Sequence, residues 1–386
     1  MSLLGNCGLS LLVYEPLVMG GDFVGNYTEK VSSYGHDIVA DGGYWACSFQ
    51  FTDTQGEIEK WFRDGLERHI VIRDDALGVI FEGFVNQISI NAGAESDVRG
   101  PVMSIANRVS CVYSPKDVSV YPPVIGAETT TIIVDNVASQ AKYGILEKIL
   151  SAGTITEEEV IMVRDMYLAQ YKDPTIAGTM SIGATGQVTA TIDCLGYIHL
   201  LSVYVFEDDV VGYSYLSDKI KAVLAFNPNH IFSTLYYWIQ DNLMLVGTAE
   251  NQHLFGLDII NRIVTLGDIY DTRWTFGIYE NRTAKYAAIP TDRPEYLFYL
   301  SDPTQKILSY KSQATISPWN VMPGKWIFVP DYYIGYVVGL GTPDSADPRY
   351  KFIETVKYTA PNQLDISGGR TDRLSQMFAK LGMSGV

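Results

Sequence analysis

The sequence predicts an α+β fold with several domains, in which two β-barrel-like domains are separated by helical and mixed α/β insert domains. Three observations lead to this prediction. The 386 residues exceed what one simple hydrophobic core usually serves. Apolar residues alternate with polar ones towards both ends of the chain, whereas capping patterns and helical periodicity occupy its middle. A hydrophobic fraction of 47% with a charged fraction of 19% is typical of a folded chain.

The first predicted domain, residues 1–125, is a β domain that carries one helix. Apolar and polar side chains alternate from Tyr44 to Thr52, which predicts a half-buried strand. Its apolar face consists of Trp45, Cys47, Phe49 and Phe51. Thr54 and Glu57 follow at capping-box spacing and predict the start of a helix. The buried stripe of that helix is expected to contain Ile58, Trp61, Phe62 and Leu66.

Residues 126–178 form the predicted helical insert. A helix capped near Asn136 is expected to continue to about Gly153. Its apolar face would consist of Ala138, Ala141, Ile145 and Ile149. A second capping box is predicted from Thr156 to Glu159, where three successive glutamates complement the helix dipole. This structural role explains the acidic run without a catalytic hypothesis.

The remaining chain is divided into a mixed α/β domain (residues 179–270), a second β-barrel-like domain (residues 271–360) and a hinge with a short helix (residues 361–386). Strand patterns in the second β domain recur at the spacing of roughly 8–12 residues found in barrels and sandwiches. Strands are expected at residues 274–279, 284–289, 295–300, 306–310, 325–329 and 333–338. Pro323-Gly324 predicts a type II turn at the corner that closes this domain, because glycine tolerates positive φ.

The charge of the chain bears on its partners. The net charge is −16, and lysine and arginine are scattered, so stable binding to a nucleic acid is not expected. No run approaches the ~18 apolar residues of a membrane span. The N-terminal residues lack the basic and apolar regions of a signal peptide, so a protein made in a cytoplasm is expected.

Motifs of catalysis and metal binding are missing from the sequence. The cysteines (Cys7, Cys47, Cys111 and Cys194) are far apart and form no C-x-x-C pair. The histidines (His36, His69, His199, His230 and His253) show no metal-ligand spacing. The glycines of 178–183 lack the Lys-Ser/Thr of a phosphate-binding loop. We therefore expect no metal, no cofactor and no enzymatic activity.

One alternative is a carbohydrate-binding or carbohydrate-active protein, such as a receptor adhesin or a glycoside hydrolase. Glycoside hydrolysis needs two carboxylates across a sugar cleft, about 5–10 Å apart. Asp74-Asp75 and Glu207-Asp208-Asp209 are the candidates, and the 26 tyrosines supply rings for stacking on sugars. Turns at strand ends account for the same carboxylates without catalysis. A cleft that joins paired carboxylates to aromatic side chains would favour this alternative.

The order of the predicted parts, together with several short stretches, resembles the baseplate-hub or tail-tip attachment proteins of tailed bacteriophages, which are related to the base of type VI secretion spikes. These stretches cover residues 45–51, 61–62, 139–144, 193–197, 267–268, 273–282, 318–319 and 323–324. The similarity is patchy, spans about residues 40–340, and consists of turns and strand patterns. No lysozyme or peptidase segment and no long C-terminal β-helix accompanies it.

The resemblance implies a virion protein of the tail baseplate that is assembled in the host cytoplasm. It implies a homotrimeric ring with two tube-like β domains per copy, which joins the tail tube or a distal tail protein to a spike or tip protein. The tape measure protein would be a further partner. DNA would pass through the ring, and an acidic lumen would keep it from adhering. Arg370, Arg373 and Phe378 in the C-terminal tail are the expected interface residues.

Overall fold

The fold was analysed in a computed structural model, which describes residues 3–92, 95–180, 188–206, 212–235, 238–247, 254–270, 272–289, 295–309, 312, 314–331 and 349–367. The helices in this part of the chain are α1 (Leu3–Asn6), α2 (Gln55–Asp64), α3 (Val137–Tyr143), α4 (Glu157–Tyr171), α5 (Leu216–Ala225) and α6 (Gly256–Leu266). The N-terminal strands are β1 (Leu9–Tyr14), β2 (Phe23–Asn26), β3 (Val31–Val39), β4 (Gly42–Thr52), β5 (His69–Asp74), β6 (Gly78–Ala92), β7 (Glu95–Arg99) and β8 (Arg108–Asp117).

Short strands follow in the middle of the chain and at its end. They are β9 (Val124–Ile125), β10 (Thr129–Thr130), β11 (Val134–Asp135), β12 (Glu147–Ile155), β13 (Ile176–Met180), β14 (Val188–Gly196), β15 (Val205–Phe206), β16 (Tyr213–Tyr215), β17 (Leu245–Gly247) and β18 (Leu254–Phe255). The last are β19 (Trp274–Ile278), β20 (Ala284–Ala288), β21 (Tyr296–Phe298), β22 (Ile307–Ser309), β23 (Thr315–Ile316), β24 (Trp326–Phe328), β25 (Tyr350–Phe352), β26 (Thr355–Thr359) and β27 (Gln363–Ser367). Most pairings are antiparallel and helices lie between the strands, which confirms the α+β class.

A large mixed sheet organises the described residues. Its strand order is β2-β1-β5-β6-β14-β4-β3-β26-β27, with β7 and β13 continuing from β6 and β19 and β20 continuing from β4. This path has two ends, so its described strands do not close into a barrel. One face of the sheet packs against α2. The buried apolar side chains of the sheet and of α2 belong to a single extended core, in which Trp61 is fully buried.

Three segments from far along the chain complete this sheet. Strand β14 lies between β4 and β6, and the β26–β27 hairpin extends the sheet from β3. Strand β19 runs parallel to β4 where Gly277 and Gly43 touch, an approach so close that a Cβ on Gly43 would lie 2.2 Å from the carbonyl oxygen of Ile278. Strand pairing thus crosses the predicted boundaries at residues 125 and 270, and the division into five domains stays a prediction.

The alternation predicted for β4 is present in the fold. Cys47, Phe49 and Phe51 are buried, and Trp45 is half-buried with its ring 4.3 Å from that of His199, measured between centroids. The capping box predicted for α2 is wrong, because the side chain of Thr54 makes no capping hydrogen bond.

A competing hydrogen bond explains the missing box. In a capping box the glutamate accepts the backbone N–H of the N-cap residue. Here Asp53 Oδ1 already accepts that N–H from Thr54, at 2.8 Å. Lys30 holds the other oxygen of Asp53, so Glu57 is left without its usual partner at the helix start.

The long helix predicted from residue 136 to residue 153 is also wrong. Asn136 does cap α3, but the helix ends at Tyr143 and is followed by Gly144 at φ +71°. The Asn107 side chain then fixes the turn by donating to Gly144 O and accepting from Leu146 N, at 2.7 and 2.8 Å. Strand β12 follows and pairs with β8 in parallel. The second capping box, at Thr156 and Glu159, is confirmed at the start of α4.

The chain returns to short strands after residue 295. Strands β23, β22, β21, β24 and β25 form a sheet in that order, with its own small core around Val321 and Ile353. Gly324 has φ +78°, as the predicted turn requires. The Nε1 of Trp319 donates to Asp74 at 2.8 Å and so ties this part of the chain to the β5–β6 hairpin. The strand predicted at 333–338 lies outside the described residues.

Candidate functional site

Among the carboxylates that a glycoside hydrolase would use, Asp74 is occupied by structural contacts. Asp74 is buried, and its Oδ1 accepts the backbone N–H groups of Ala76 and Leu77 in the β5–β6 turn. Its Oδ2 accepts from Trp319. Asp75 is exposed beside it, and residues 207–209 lie outside the described residues. Asp74 therefore builds a turn and an inter-sheet contact, and the geometry does not favour the carbohydrate-active alternative.

A buried cluster of ionisable groups lies on β5 and β6, and single-residue patterns did not reveal it. His69 Nδ1 is 2.7 Å from the hydroxyl of Tyr197, and its Nε2 is 3.7 Å from Glu82 Oε1. The Nε of Arg282 lies 3.7 Å from the same oxygen. Burial lowers the pKa of His69 to about 4, and burial also raises the pKa of Glu82.

This cluster anchors the tip of the β19–β20 hairpin. Asn281 and Arg282 both have φ +54°. This left-handed conformation is energetically unfavourable for residues that carry a Cβ atom. Their backbone N–H groups bond to Glu82, which helps to hold that conformation. Glu82 is only 4% exposed, so a substrate has no open route to its carboxylate. The geometry indicates a structural anchor.

The potential metal ligands of the described residues do not form a site either. Within the described ranges, no group of three or more His, Cys, Asp or Glu side chains is arranged to hold a metal ion. None of the helices in that part of the chain has the length and apolar character that crossing a membrane requires.

An open cleft of about 400 Å³ lies between α3 and the segment that follows α4. Arg99, Lys142 and Lys172 contribute to its lining. Arg99 already donates to the carbonyl oxygens of Phe62 and Arg63 at the end of α2, and Lys172 pairs with Asp173 at 2.5 Å. Arg99 and Lys172 therefore have partners within the chain, and the ammonium of Lys142 lies 5.2 Å from the centroid of the Tyr143 ring.

The most unusual surface belongs to a long β-hairpin, which we call the arm and define as residues 108–135. Strand β8 forms its outgoing side, and β9, β10 and β11 return along it. Apolar side chains project into solvent near its tip and on its returning side. The exposed ones are Val118, Val120, Tyr121, Val124, Ile125, Ile132 and Ile133. Tyr121 is 96% exposed and Ile132 is 84% exposed, values that are typical of residues awaiting a partner.

The arm also differs from the rest of the chain in charge. Between Val118 and Val134 the only charged residue is Glu128, although 19% of the chain is charged. Pro122 and Pro123 stiffen the tip, which lowers the conformational entropy lost when a partner binds. This charge depletion is a property of the sequence itself.

Helix α4 carries a second set of exposed apolar side chains beside the arm. Its inner face buries Val160, Arg164 and Leu168 against β8, and the Arg164 guanidinium donates to Ile132 O at 2.9 Å. Met162 and Met166, one turn apart, point outwards and are 61% and 66% exposed. A helix that is apolar on both faces is normally buried on both. We call the exposed apolar groups of the arm and α4 the arm–helix surface.

The predicted interface residues cannot be placed on this surface. Arg370, Arg373 and Phe378 all lie outside the described residues.

Comparisons with known proteins were made on sequence and on structure. No protein-family model and no curated protein matches the chain. Among solved structures, the chain is similar to the 43 kDa tail protein of prophage MuSo2 from Shewanella oneidensis, with 8% identity and a TM-score of 0.41, over 94% of this chain and 97% of that one. It is also similar to a tail protein from Neisseria meningitidis MC58, with 8% identity and a TM-score of 0.42, over 96% and 98% of the two chains. TM-scores below 0.5 are too low for either similarity to support an argument about function.

Proposed function

We propose that this protein is a structural component of a bacteriophage or phage-like tail, and not an enzyme. More specifically, three copies would form the hub ring of the baseplate, between the tail tube or a distal tail protein and a spike or tip protein. The order of parts and the short stretches that resemble hub proteins support the family. The tape measure protein is a further proposed partner, and the virion is the proposed location.

One observation carries the choice of an assembly protein over an enzyme, namely the arm–helix surface. Exposing Tyr121, Ile132, Met162 and Met166 to water is unfavourable, because each large apolar side chain gains about 1.5–3 kcal/mol from full burial. A stable contact with another protein supplies that burial. Among the described ionisable groups, in contrast, His69 and Glu82 are buried and Asp74 is engaged in a turn.

In the proposed ring, contacts between copies would pair the sheets that stay open in a single copy. Two sheets per copy, the large sheet and the sheet of β21–β25, would supply the two tube-like β domains. Three copies would then present six sheets to a hexameric tail tube. The net charge of −16 suits a lumen that DNA must cross without adhering. A lumen lined by lysine and arginine would contradict this part of the proposal.

The experiment measures mass and shape of the purified full chain by light scattering and negative-stain electron microscopy. We expect a trimeric ring for the natural protein. The substitutions Tyr121→Glu and Met166→Glu, which place charge on the arm–helix surface, should shift the mass towards the monomer at the same protein concentration. Their melting temperatures as monomers should stay close to one another, because both side chains are exposed in a single copy.

Leu77→Glu serves as the matched control. Leu77 is also an exposed apolar residue, but it lies in the β5–β6 turn and outside the arm–helix surface. It should leave the trimer intact. The proposal would be overturned if the unsubstituted protein stayed monomeric in concentrated solution. It would also be overturned if the protein hydrolysed glycans.

A further inference from the structure

Two of the four cysteines lie side by side in the large sheet. Cys47 of β4 and Cys194 of β14 are directly opposed in the antiparallel register. Both are buried, at 3% and 2% exposure, and Cys47 contributes to the raised pKa of the Cys194 thiol, after burial, through a side-chain hydrogen bond. Neither forms a disulfide. The separation of 147 positions in the sequence gave no hint of this contact.

The geometry of this pair fits a disulfide. Directly opposed residues in antiparallel strands have Cα atoms about 4.5 or 5.5 Å apart and side chains on the same face. Disulfides accept Cα separations of roughly 4.4–6.8 Å. The pair therefore needs only side-chain rotation and small backbone adjustments to form a bond.

The backbone at Cys194 is able to supply such an adjustment. The pairing of β14 with β6 shifts register beside Cys194: Asp193 is opposite Gln87 and Cys194 is opposite Val85, so Asn86 of β6 is the extra residue of a β-bulge. Ladder hydrogen bonds are interrupted at a bulge, so β6 holds β14 less tightly at Cys194 than along the regular part of this pairing. Both cysteines are buried, so a small oxidant would reach them through a local opening of the sheet.

We propose that Cys47 and Cys194 form an oxidation site, at which a peroxide converts the two thiols into a disulfide that staples β14 to β4. In the first step the peroxide oxygen adds to one sulfur, giving a sulfenic acid and one water. The second thiol then attacks that sulfur, the S–S bond forms, and the hydroxide leaves with the thiol proton as a second water. The two sulfurs lose two electrons, and the O–O bond of the peroxide takes them up.

Burial sets the rate of this reaction. Desolvation raises the pKa of the Cys194 thiol well above its ordinary value, and the neighbouring Cys47 raises it further. Little thiolate therefore exists at neutral pH. Oxidation is therefore slow and becomes faster as the pH rises. This dependence on pH distinguishes the pair from an exposed reactive cysteine.

The remaining cysteines provide internal controls. Cys111 is buried on β8 opposite Leu150, and the thiol of Cys7 donates to the carbonyl oxygen of Pro361 at 3.6 Å. Both lie on elements other than β4 and β14. A peroxide that acts on cysteines without selection would oxidise these two as well.

The test treats the folded full chain with hydrogen peroxide, blocks remaining thiols by alkylation in denaturant, and maps the peptides by mass spectrometry without reduction. We expect a cross-linked peptide that joins Cys47 to Cys194, together with alkylated Cys111. The cross-link should disappear in Cys47→Ser and in Cys194→Ser and persist in Cys111→Ser. The closed loop of about 150 residues should raise the melting temperature of the oxidised protein by roughly 3 °C or more, reversibly with a reducing agent.

Three results would overturn the proposal. The first is a folded protein in which both cysteines stay alkylatable, or become sulfinic acids, after prolonged oxidation at raised pH. The second is a cross-link that forms only when the protein is oxidised in denaturant. The third is a bond that forms in the folded protein but lowers the melting temperature, because the staple would then strain the sheet. None of these outcomes depends on whether the protein is a tail hub.

Discussion

Glu67 is the residue whose burial has the clearest thermodynamic consequence. Its side chain is 7% exposed and its Oε1 has no hydrogen-bond partner among the described residues. Burial therefore raises the pKa of Glu67 from the ordinary 4.5 to about 8. Between these two pKa values the Glu67 carboxyl is protonated in the folded protein and ionised in the unfolded chain. Its contribution to stability is complete below pH 4.5 and is lost as the pH rises towards 8.

The substitution Glu67→Gln should remove this pH dependence. We expect the free energy of unfolding of the natural protein to fall between pH 5 and pH 8 by on the order of 1–4 kcal/mol more than that of the variant. Urea unfolding monitored by tryptophan fluorescence at several pH values measures the difference. Glu158→Gln, at an exposed position of α4, is the control and should follow the natural protein. Parallel curves for natural protein and Glu67→Gln would show that Glu67 is ionised without cost.

At the scale of elements, two helices that begin with the same pattern behave differently. Thr156 accepts the N–H of Glu159, whereas Thr54 caps nothing with its side chain. Thr156→Ala should therefore cost about 1 kcal/mol of stability, and Thr54→Ala only a few tenths of that. Chemical unfolding of the two variants under identical conditions measures the ratio. Equal losses would mean that the Thr54 hydroxyl contributes a contact that α2 needs.

These elements also show how far the sequence predicts the fold. Strand β4 is predictable because it buries one face with a period of two, and the start of α4 is predictable because Thr156 and Glu159 stand at capping-box spacing. The missing cap at Thr54 could not be found, because Asp53 decides it through a bond to a neighbour. The helix predicted over β12 is wrong because Ile145 and Ile149 also fit a helical period, whereas the turn after α3 is fixed by the side chains of Asn107 and Asn229, which are distant in the sequence.

The candidate site was predictable only in part. Charge depletion from Val118 to Val134 is a property of the sequence, but its position on a protruding hairpin is not. Exposure of Met162 and Met166 follows from which face of α4 meets β8, and periodicity alone cannot choose between two apolar faces.

At the scale of the whole molecule, residues 349–367 connect the two sheets. Tyr358 of β26 is fully buried beside His36, while Val356 of the same strand packs in the core of the later sheet. A chain that ends at residue 348 should leave β3 paired with β4 alone, as an edge strand of the large sheet. Hydrogen exchange should then show faster exchange of the β3 amides, by at least tenfold relative to the full chain.

A chain that ends at Ser367 is the matched control for this truncation. It retains β26 and β27 together with their pairing to β3. Its β3 amides should exchange as slowly as those of the full chain. If both truncated proteins protect β3 equally, the β26 pairing contributes nothing to the stability of the sheet.

The position of β14 between β4 and β6 has a consequence for synthesis on the ribosome. When β6 has been made, about a hundred further residues must be translated before β14 is complete, which takes roughly 5–20 s. Throughout this interval β4 and β6 each have an unpaired edge, because β14, which pairs with both of them, has not been made. Unpaired strand edges readily pair with strands of other chains. A nascent chain of this protein is therefore most vulnerable between its ninetieth and two-hundredth residues. A holding chaperone would raise the yield mainly by acting within that interval.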